Sequence, residues 1–147
     1  MSKDTWKINL SVCEKIMGWR WIEGTHYDVD SNEQSMWLLP SSMGISDVGP
    51  GEWTFYDLDL PVNQQYSKLT IFAVPGYADV MGRAWEVINW AVSKGTYFMD
   101  SFVQNLMTMT ETETYGADRD YQAIAELFSK MTPLAICKAA LKTLEEN

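Results

Sequence analysis

The most specific chemical spacing in the chain is Asp28-Val29-Asp30-Ser31-Asn32, which places oxygen ligands at positions 1, 3 and 5 of an EF-hand calcium loop. The pattern then breaks. Glu33 stands where the loop needs glycine for its sharp turn, and Leu39 stands where a bidentate carboxylate should complete the shell. We therefore interpret this segment as an acidic loop, and we predict no metal or other cofactor for the chain.

His26 is the only histidine and lies two residues before Asp28. On an extended segment His26, Asp28 and Asp30 would share one side, so a metal-dependent hydrolase built on them is one hypothesis. Transition-metal sites are usually built from several His or Cys ligands, and no further His or Cys lies near this segment. The interpretation as a loop is favoured.

Nucleophilic catalysis would need a serine or cysteine beside a positioned base, and His26 is the only histidine that could act as one. Cys13 and Cys137 each fall within an apolar helical pattern, which predicts buried thiols in which the thiolate is disfavoured. We expect no catalytic residue and interpret the protein as a non-enzyme.

Carboxylates also recur as pairs two residues apart, at Asp57/Asp59 and Asp118/Asp120. Asp57 and Asp59 alternate with leucines, as on the solvated face of a half-buried strand. The glycines from Gly76 to Gly82 lack the lysine of a phosphate-binding loop. None of these patterns predicts a site.

Aromatic residues are the remaining candidates, since tryptophan and tyrosine serve both in cores and as binding anchors. Core packing is favoured for most of them. If a binding surface exists, we expect it among residues 19 to 60, with these candidates: Trp19, Trp21, His26, Trp37, Trp53 and Tyr56.

Apolar residues at helical spacing predict helices over residues 8–17, 77–93 and 120–131, and a last helix that begins at Pro133 with Thr132 as its N-cap. Gly18 and Gly95 stand where helix C-caps are expected.

Between the helices, strands are predicted at residues 36–39, 52–60 and 69–74. In residues 96–110, Phe98, Phe102 and Leu106 fit a helical period, but the content of Tyr, Phe, Val and Thr favours a strand, to which we assign the segment. A solvated hairpin end is predicted from Thr110 to Thr114. The fold class is therefore α+β, with N-terminal, central and C-terminal helices around a β-rich middle.

With 147 residues, of which 46% are hydrophobic, the chain has the size of a single domain and enough apolar material for a core. Its formal charge of −9 disfavours direct binding to nucleic acid or to a membrane surface. Two widely separated cysteines, and the lack of an apolar run of about 18 residues, favour a reducing cytoplasm.

Three segments of the chain match a known set of signatures. The first is Val12-Cys13-Glu14-Lys15-Ile16-Met17-Gly18-Trp19, and the last is Thr132-Pro133-Leu134-Ala135-Ile136-Cys137-Lys138-Ala139-Ala140-Leu141. Between them lies Tyr77-Ala78-Asp79, followed by Ala84-Trp85-Glu86-Val87. In chain order they resemble the opening "aekvMGW", the helix start "YSTD…AWEVV" and the closing "aPeAICrAAL" of the phage ABA-sandwich domain family.

The resemblance implies a small bacteriophage or prophage protein with no established activity. It also implies an α-β-α layered sandwich with a mostly antiparallel sheet. The chain would then be one such domain, residues 1–147. It departs from the pattern by an extended middle insertion, about residues 23–72, and by a helical insertion before Pro133.

From these features we expect a non-enzymatic phage accessory protein that binds a host protein in the host bacterial cytoplasm, with inhibition of a host defence system as one such role. The alternative is a small-molecule-binding protein that sequesters a nucleotide signal in a Trp-lined pocket. An anionic ligand would need one of these basic residues: Arg20, Lys68, Arg83, Lys94 or Arg119. Whether the protein forms a homo-oligomer is left open.

Overall fold

The computed structural model describes residues 5–24, 35–49, 53–56, 68–112 and 119–147 of the chain. Within these ranges the α-helices are α1 (Trp6–Ser11), α2 (Met81–Ser93), α3 (Thr96–Met109), α4 (Arg119–Lys130) and α5 (Pro133–Glu146). The strands are β1 (Arg20–Gly24), β2 (Ser35–Leu39), β3 (Trp53–Tyr56) and β4 (Lys68–Phe72). A π-helical turn (Val12–Ile16) continues α1, and a short 3₁₀ helix (Ile45–Asp47) follows β2. The α+β class is confirmed, whereas the layered arrangement stays a prediction.

The chain forms two compact units. We call Met1–Val12 together with Pro75–Asn147 the helical unit, and Cys13–Val74 the sheet unit. The interpretation of residues 1–147 as a single domain, with an insertion at about 23–72, stays a prediction.

The sheet unit contains four strands in the order β1-β2-β4-β3. The pairings β1/β2 and β3/β4 are antiparallel, and β2/β4 is parallel. All four apolar residues of the central strand β2, Met36 to Leu39, are buried, which explains why their sequence is continuously apolar instead of alternating. Trp37 and Leu39 pack with Val48 in a small core, joined by partly buried apolar side chains of Ile22, Met43 and Ile45.

The helical unit is built around α5, which contacts α1, α2 and α3. The predicted cap of α5 is confirmed, since Ala135 N donates to Thr132 Oγ1 at 3.1 Å and Pro133 opens the helix. Small residues dominate the buried faces of α2 and α5, among them Ala84, Ala91, Ala139 and Ala140. Small side chains of this kind allow helix backbones to approach closely.

Residues 96–109 form α3, and the prediction of a strand over residues 96–110 is wrong. Phe98, Phe102 and Leu106 recur every four residues and are buried at 8%, 2% and 3% exposure. Asn105 is buried on the same helix and donates to Thr143 Oγ1 on α5 at 2.9 Å. The β-propensity of single residues is weak and gives way when a helical face can bury this much aromatic surface.

The predicted hairpin end at Thr110 to Thr114 is also wrong over its described part. Thr110 caps α3, and its Oγ1 donates to Leu106 O at 2.9 Å. Thr112 is buried at 8% exposure and its hydroxyl lies 2.8 Å from that of Thr110. Residues 113–114 lie outside the described ranges.

Helix α2 begins at Met81, four residues later than predicted, because Tyr77 to Asp79 form a turn held by α1. Asn9, fully buried, accepts from Ala78 N at 2.7 Å and donates to Asp79 Oδ2 at 2.9 Å. Thr5 Oγ1 donates to Asp79 Oδ1 at 2.7 Å. These bonds tie the first helix of the chain to the start of α2.

Candidate binding surface

The first helical segment ends at Gly18, whose positive φ of 72° lies in the left-handed region that glycine adopts at low cost. Trp19 N donates to Cys13 O at 2.9 Å, closing a wide turn around the end of the π-helical segment. The chain then enters β1. This reversal sends β1 back past the exposed side chain of Glu14.

Side chains alternate along β1, so Ile22 lies on one face and Trp21 with Glu23 on the other. Ile22 pairs with Trp37 in the register of β1 and β2 and packs against the small core. Trp21 therefore lies on the face opposite that core, where it is half-buried and Glu23 is exposed.

The indole of Trp21 is fixed at this surface by a carboxylate. Its Nε1 donates to Glu14 Oε2 at 2.9 Å across the helix end. A hydrogen bond to a charged acceptor restricts rotation of the ring, and Trp21 remains partly exposed. We call Glu14, Trp21 and Glu23 the Trp21 surface.

Trp37 does not belong to any surface, which corrects its inclusion among the candidate binding residues. Its side chain is 0% exposed, and its Nε1 donates to Gly24 O at 3.3 Å. The reason is its place on β2, which has a hydrogen-bonded neighbour on each side and is buried on both faces.

Of the other candidate binding residues, only Trp19 has a side chain within the described part of the structure. Trp19 is half-buried next to Trp21. Trp53 and Tyr56 begin and end β3, and their side chains lie outside what is described. His26 lies outside the described residues, together with Asp28 and Asp30, so the hypothesis of a metal site on these residues stays untested. In the ranges that are described, no three His, Cys, Asp or Glu side chains converge as a metal site would require.

Both thiols are buried, as predicted. Burial raises the pKa of the Cys13 thiol from 9.0 to about 12. Burial also raises the pKa of the Cys137 thiol to about 12, and the nearby charge of Asp79 adds to this shift. At neutral pH both groups are therefore neutral thiols, which are poor nucleophiles.

A cavity of about 320 Å³ opens in the helical unit, between the end of α3 and the start of α5. It is lined by Met109, Thr132, Leu134, Ala135 and Lys138. The volume is at the lower end of small-molecule pockets, and its described lining contains no tryptophan.

Comparison with protein-family models, with curated proteins and with solved structures gives no match to the chain. The resemblance to the phage ABA-sandwich family thus stays a prediction. Among the described helices, none combines the length and apolar character needed to cross a bilayer.

Proposed function

We propose that the protein is a non-enzymatic binding protein whose partner is another protein, and that the Trp21 surface is a main part of the contact. In line with the family resemblance, the protein would be a phage accessory protein and the partner a protein of the host bacterial cytoplasm. Inhibition of a host defence system is the role to test first.

One observation carries this proposal, namely the indole of Trp21 held at the surface of β1 by the carboxylate of Glu14. Protein interfaces obtain most of their affinity from a few large anchors, and tryptophan is enriched among them. An anchor already held in one orientation loses less conformational entropy when a partner binds. Trp19 is half-buried nearby and would extend the same contact.

The test is capture from bacterial lysate with three forms of the protein. These are the wild type, the double variant Trp19→Ala/Trp21→Ala, and Trp85→Ala as a matched control. Trp85 is 46% exposed on α2, so its substitution removes an indole that is more exposed than Trp19 or Trp21 and that belongs to the other unit. The captured protein would then be purified and its affinity for each form measured by calorimetry.

We expect the wild type and Trp85→Ala to bind the same protein with equal affinity. The double variant should lose at least about 30-fold in affinity, which corresponds to about 2 kcal/mol for the loss of a hot spot. Equal affinity of all three forms would refute a role of the Trp21 surface, and no specific capture by any form would count against the function itself.

A second candidate function is binding of a nucleotide, and the cavity beside Lys138 is the observation that favours it. The ammonium of Lys138, together with the positive end of the α5 dipole, would provide positive charge for a phosphate. A ligand present at about 100 times its Kd would stabilise the protein by about 2.7 kcal/mol. Thermal-shift measurements with a set of nucleotides test this. Lys138→Ala should abolish any rise in Tm, and the exposed Lys142→Ala should retain it.

A further inference from the structure

Two tryptophans of the helical unit, Trp6 and Trp90, already have a cation of their own. Lys94 Nζ lies 5.3 Å from the ring centroid of Trp90, and Lys7 Nζ lies 5.6 Å from that of Trp6. Both distances are within the range in which the negative face of an indole attracts a cation. These rings are therefore paired within the molecule.

Trp21 is surrounded by negative charge instead. Its N–H is bound to the carboxylate of Glu14, and alternation along β1 puts the carboxylate of Glu23 on its side of the strand. Among the described residues no Lys or Arg lies over its ring. Donation of the indole N–H to an anion also makes the ring a better partner for a cation, because it shifts electron density toward the ring.

The charges of the two carboxylates are not cancelled nearby. Glu14 accepts a neutral N–H, and in the part of the chain that the structure describes neither Glu14 nor Glu23 forms an ion pair. Arg20 lies on the opposite face of β1 by alternation, and Lys15 is exposed next to Glu14 without pairing with it.

The net charge of the sheet unit also favours binding of a cation. Residues 13–74 contain nine acidic and three basic residues, a net charge of −6, whereas the rest of the chain contains eleven acidic and eight basic residues, a net charge of −3. The field of the sheet unit therefore favours the approach of a positive group.

We propose that the Trp21 surface binds an arginine side chain of the protein partner, with the guanidinium stacked on the indole and its N–H groups directed at Glu14 and Glu23. Arginine fits better than lysine, because a planar guanidinium stacks on an aromatic ring and donates two parallel hydrogen bonds to a carboxylate. The inference rests on the proposed function and names the chemistry of the partner.

The probe is the peptide acetyl-Gly-Arg-Gly-amide, titrated at low salt into ¹⁵N-labelled protein while the indole N–H resonances are followed. The matched control is the same peptide with citrulline, which has the shape of arginine but no charge. The resonance of Trp21 is assigned with Trp21→Phe, and that of Trp85 serves as an internal reference for nonspecific binding.

We expect the Trp21 indole resonance to shift saturably with the arginine peptide and not with the citrulline peptide, and that of Trp85 to stay in place. Glu14→Gln keeps an acceptor for the indole but removes its charge, and Glu23→Gln removes the second charge. Each should weaken binding about threefold, as should an increase in salt to about 1 M, where the Debye length is only ~3 Å. Arg20→Gln should bind at least as tightly as the wild type.

Equal shifts with both peptides, or no effect of the two Glu→Gln variants, would overturn the proposal. Its failure can be told apart from failure of the proposed function. If capture of a protein still depends on Trp21 while the arginine peptide gives no shift, the partner binds this surface by other chemistry. If capture does not depend on Trp21 either, the proposed function also falls.

Discussion

Three half-buried tryptophans, Trp6 and Trp90 in the helical unit and Trp21 in the sheet unit, have partners of opposite charge. In the helical unit the rings of Trp6 and Trp90 are covered by Lys7 and Lys94. In the sheet unit the ring of Trp21 is fixed by a carboxylate, with a second carboxylate on the same face of β1. The comparison teaches that exposure alone does not distinguish a binding residue. What differs is whether the favourable partner of the ring is supplied by the protein itself.

The units differ in their interiors as well. The helical unit joins its elements by buried polar bonds, from Asn9 to the start of α2 and from Asn105 to Thr143. The described core of the sheet unit is a small apolar cluster around Trp37, Leu39 and Val48. The helical unit thus has the specific internal connections of a scaffold, while the sheet unit presents the surface that we propose binds a partner.

The largest expected effect is a difference in stability between variants of Trp37 and Trp21, which lie on adjacent strands. Trp37→Ala removes a fully buried side chain and should lower the free energy of unfolding by about 3–5 kcal/mol. Trp21→Ala removes a half-buried side chain with one exposed hydrogen bond and should cost less than Trp37→Ala, about 1–2.5 kcal/mol. Urea denaturation followed by circular dichroism measures both values. If the two losses are equal, Trp21 is a structural residue and the contrast with Trp37 is lost.

The next effect tests the polar connections of the helical unit. Asn9→Ala leaves the N–H of Ala78 and the carboxylate of Asp79 without their shared partner, which should cost about 1–3 kcal/mol. Asn89→Ala, at an exposed position of α2, is the matched control and should change stability by less than about 0.5 kcal/mol. A similar small change for both would show that the Asn9 bonds contribute nothing net to the stability of the helical unit.

A smaller effect compares the two helix ends at which glycine has positive φ. Gly18 in the sheet unit has φ of 72° and Gly95 in the helical unit has φ of 98°, and no atom would obstruct a Cβ at either position. Alanine at Gly18 should therefore cost about 1–2 kcal/mol through backbone strain alone. Alanine at Gly95 should cost about 1–3 kcal/mol, because its ψ of 176° lies in a region that is essentially restricted to glycine. Gly82→Ala within α2 should have the opposite sign and stabilise by up to about 1 kcal/mol, since its Cβ is also unobstructed and its φ is not positive.

Gly18→Ala has a second consequence that Gly95→Ala lacks. The turn at Gly18 precedes β1 and brings it past Glu14, so distortion there should lengthen the bond between Glu14 and Trp21. A change in the indole resonance of Trp21 would report this. An unchanged resonance in a destabilised Gly18→Ala protein would mean that the Trp21 surface does not depend on this turn.

Much of the fold is predictable from the sequence, because the information is local. The start of α5 at Pro133 follows from a capping threonine and a proline, and both lie where the pattern places them. Each of the strands β2, β3 and β4 overlaps a run of apolar or alternating residues. The failure at residues 96–110 has a long-range cause, since the helical face there is stabilised by α5, which lies more than 20 residues further along the chain.

In the candidate site, too, features set by local sequence are predictable and features set by contacts between separate elements are not. Trp21 was selected by residue type, and the same criterion selected Trp37, because aromatic character does not distinguish an edge strand from a central one. Glu14 was missed, since its contact with Trp21 spans seven residues and depends on the turn at Gly18. The sequence does carry one signal for this contact, namely the helix end predicted at Gly18. A chain that reverses there must pass the last exposed residues of the helix, and Glu14 is one of them.

The smallest effect at accessible pH compares the buried thiols of the two units. Burial raises the pKa of Cys13 and of Cys137 from 9.0 to about 12. Well below pH 9.0 the thiols are protonated in both the folded and the unfolded chain and add no pH dependence. Above it the unfolded chain loses protons that the folded chain keeps, so stability falls as pH rises toward about 12. Each thiol should account for about 0.4 kcal/mol at pH 9 and about 0.8 kcal/mol at pH 9.5.

The measurement is the difference in free energy of unfolding between the wild type and Cys13→Ala or Cys137→Ala, from pH 7 to 9.5, because subtraction cancels the titration of all other groups. Each difference should be constant to about pH 8.5 and then shift against the wild type. Equal slopes for the two thiols would show that both units keep their interiors dry until the whole chain unfolds. A slope for Cys137 with none for Cys13 would show instead that water reaches the thiol of the sheet unit in the folded protein. In that case the sheet unit is the less rigid of the two, and the fixed orientation of Trp21 would have to be attributed to Glu14 alone.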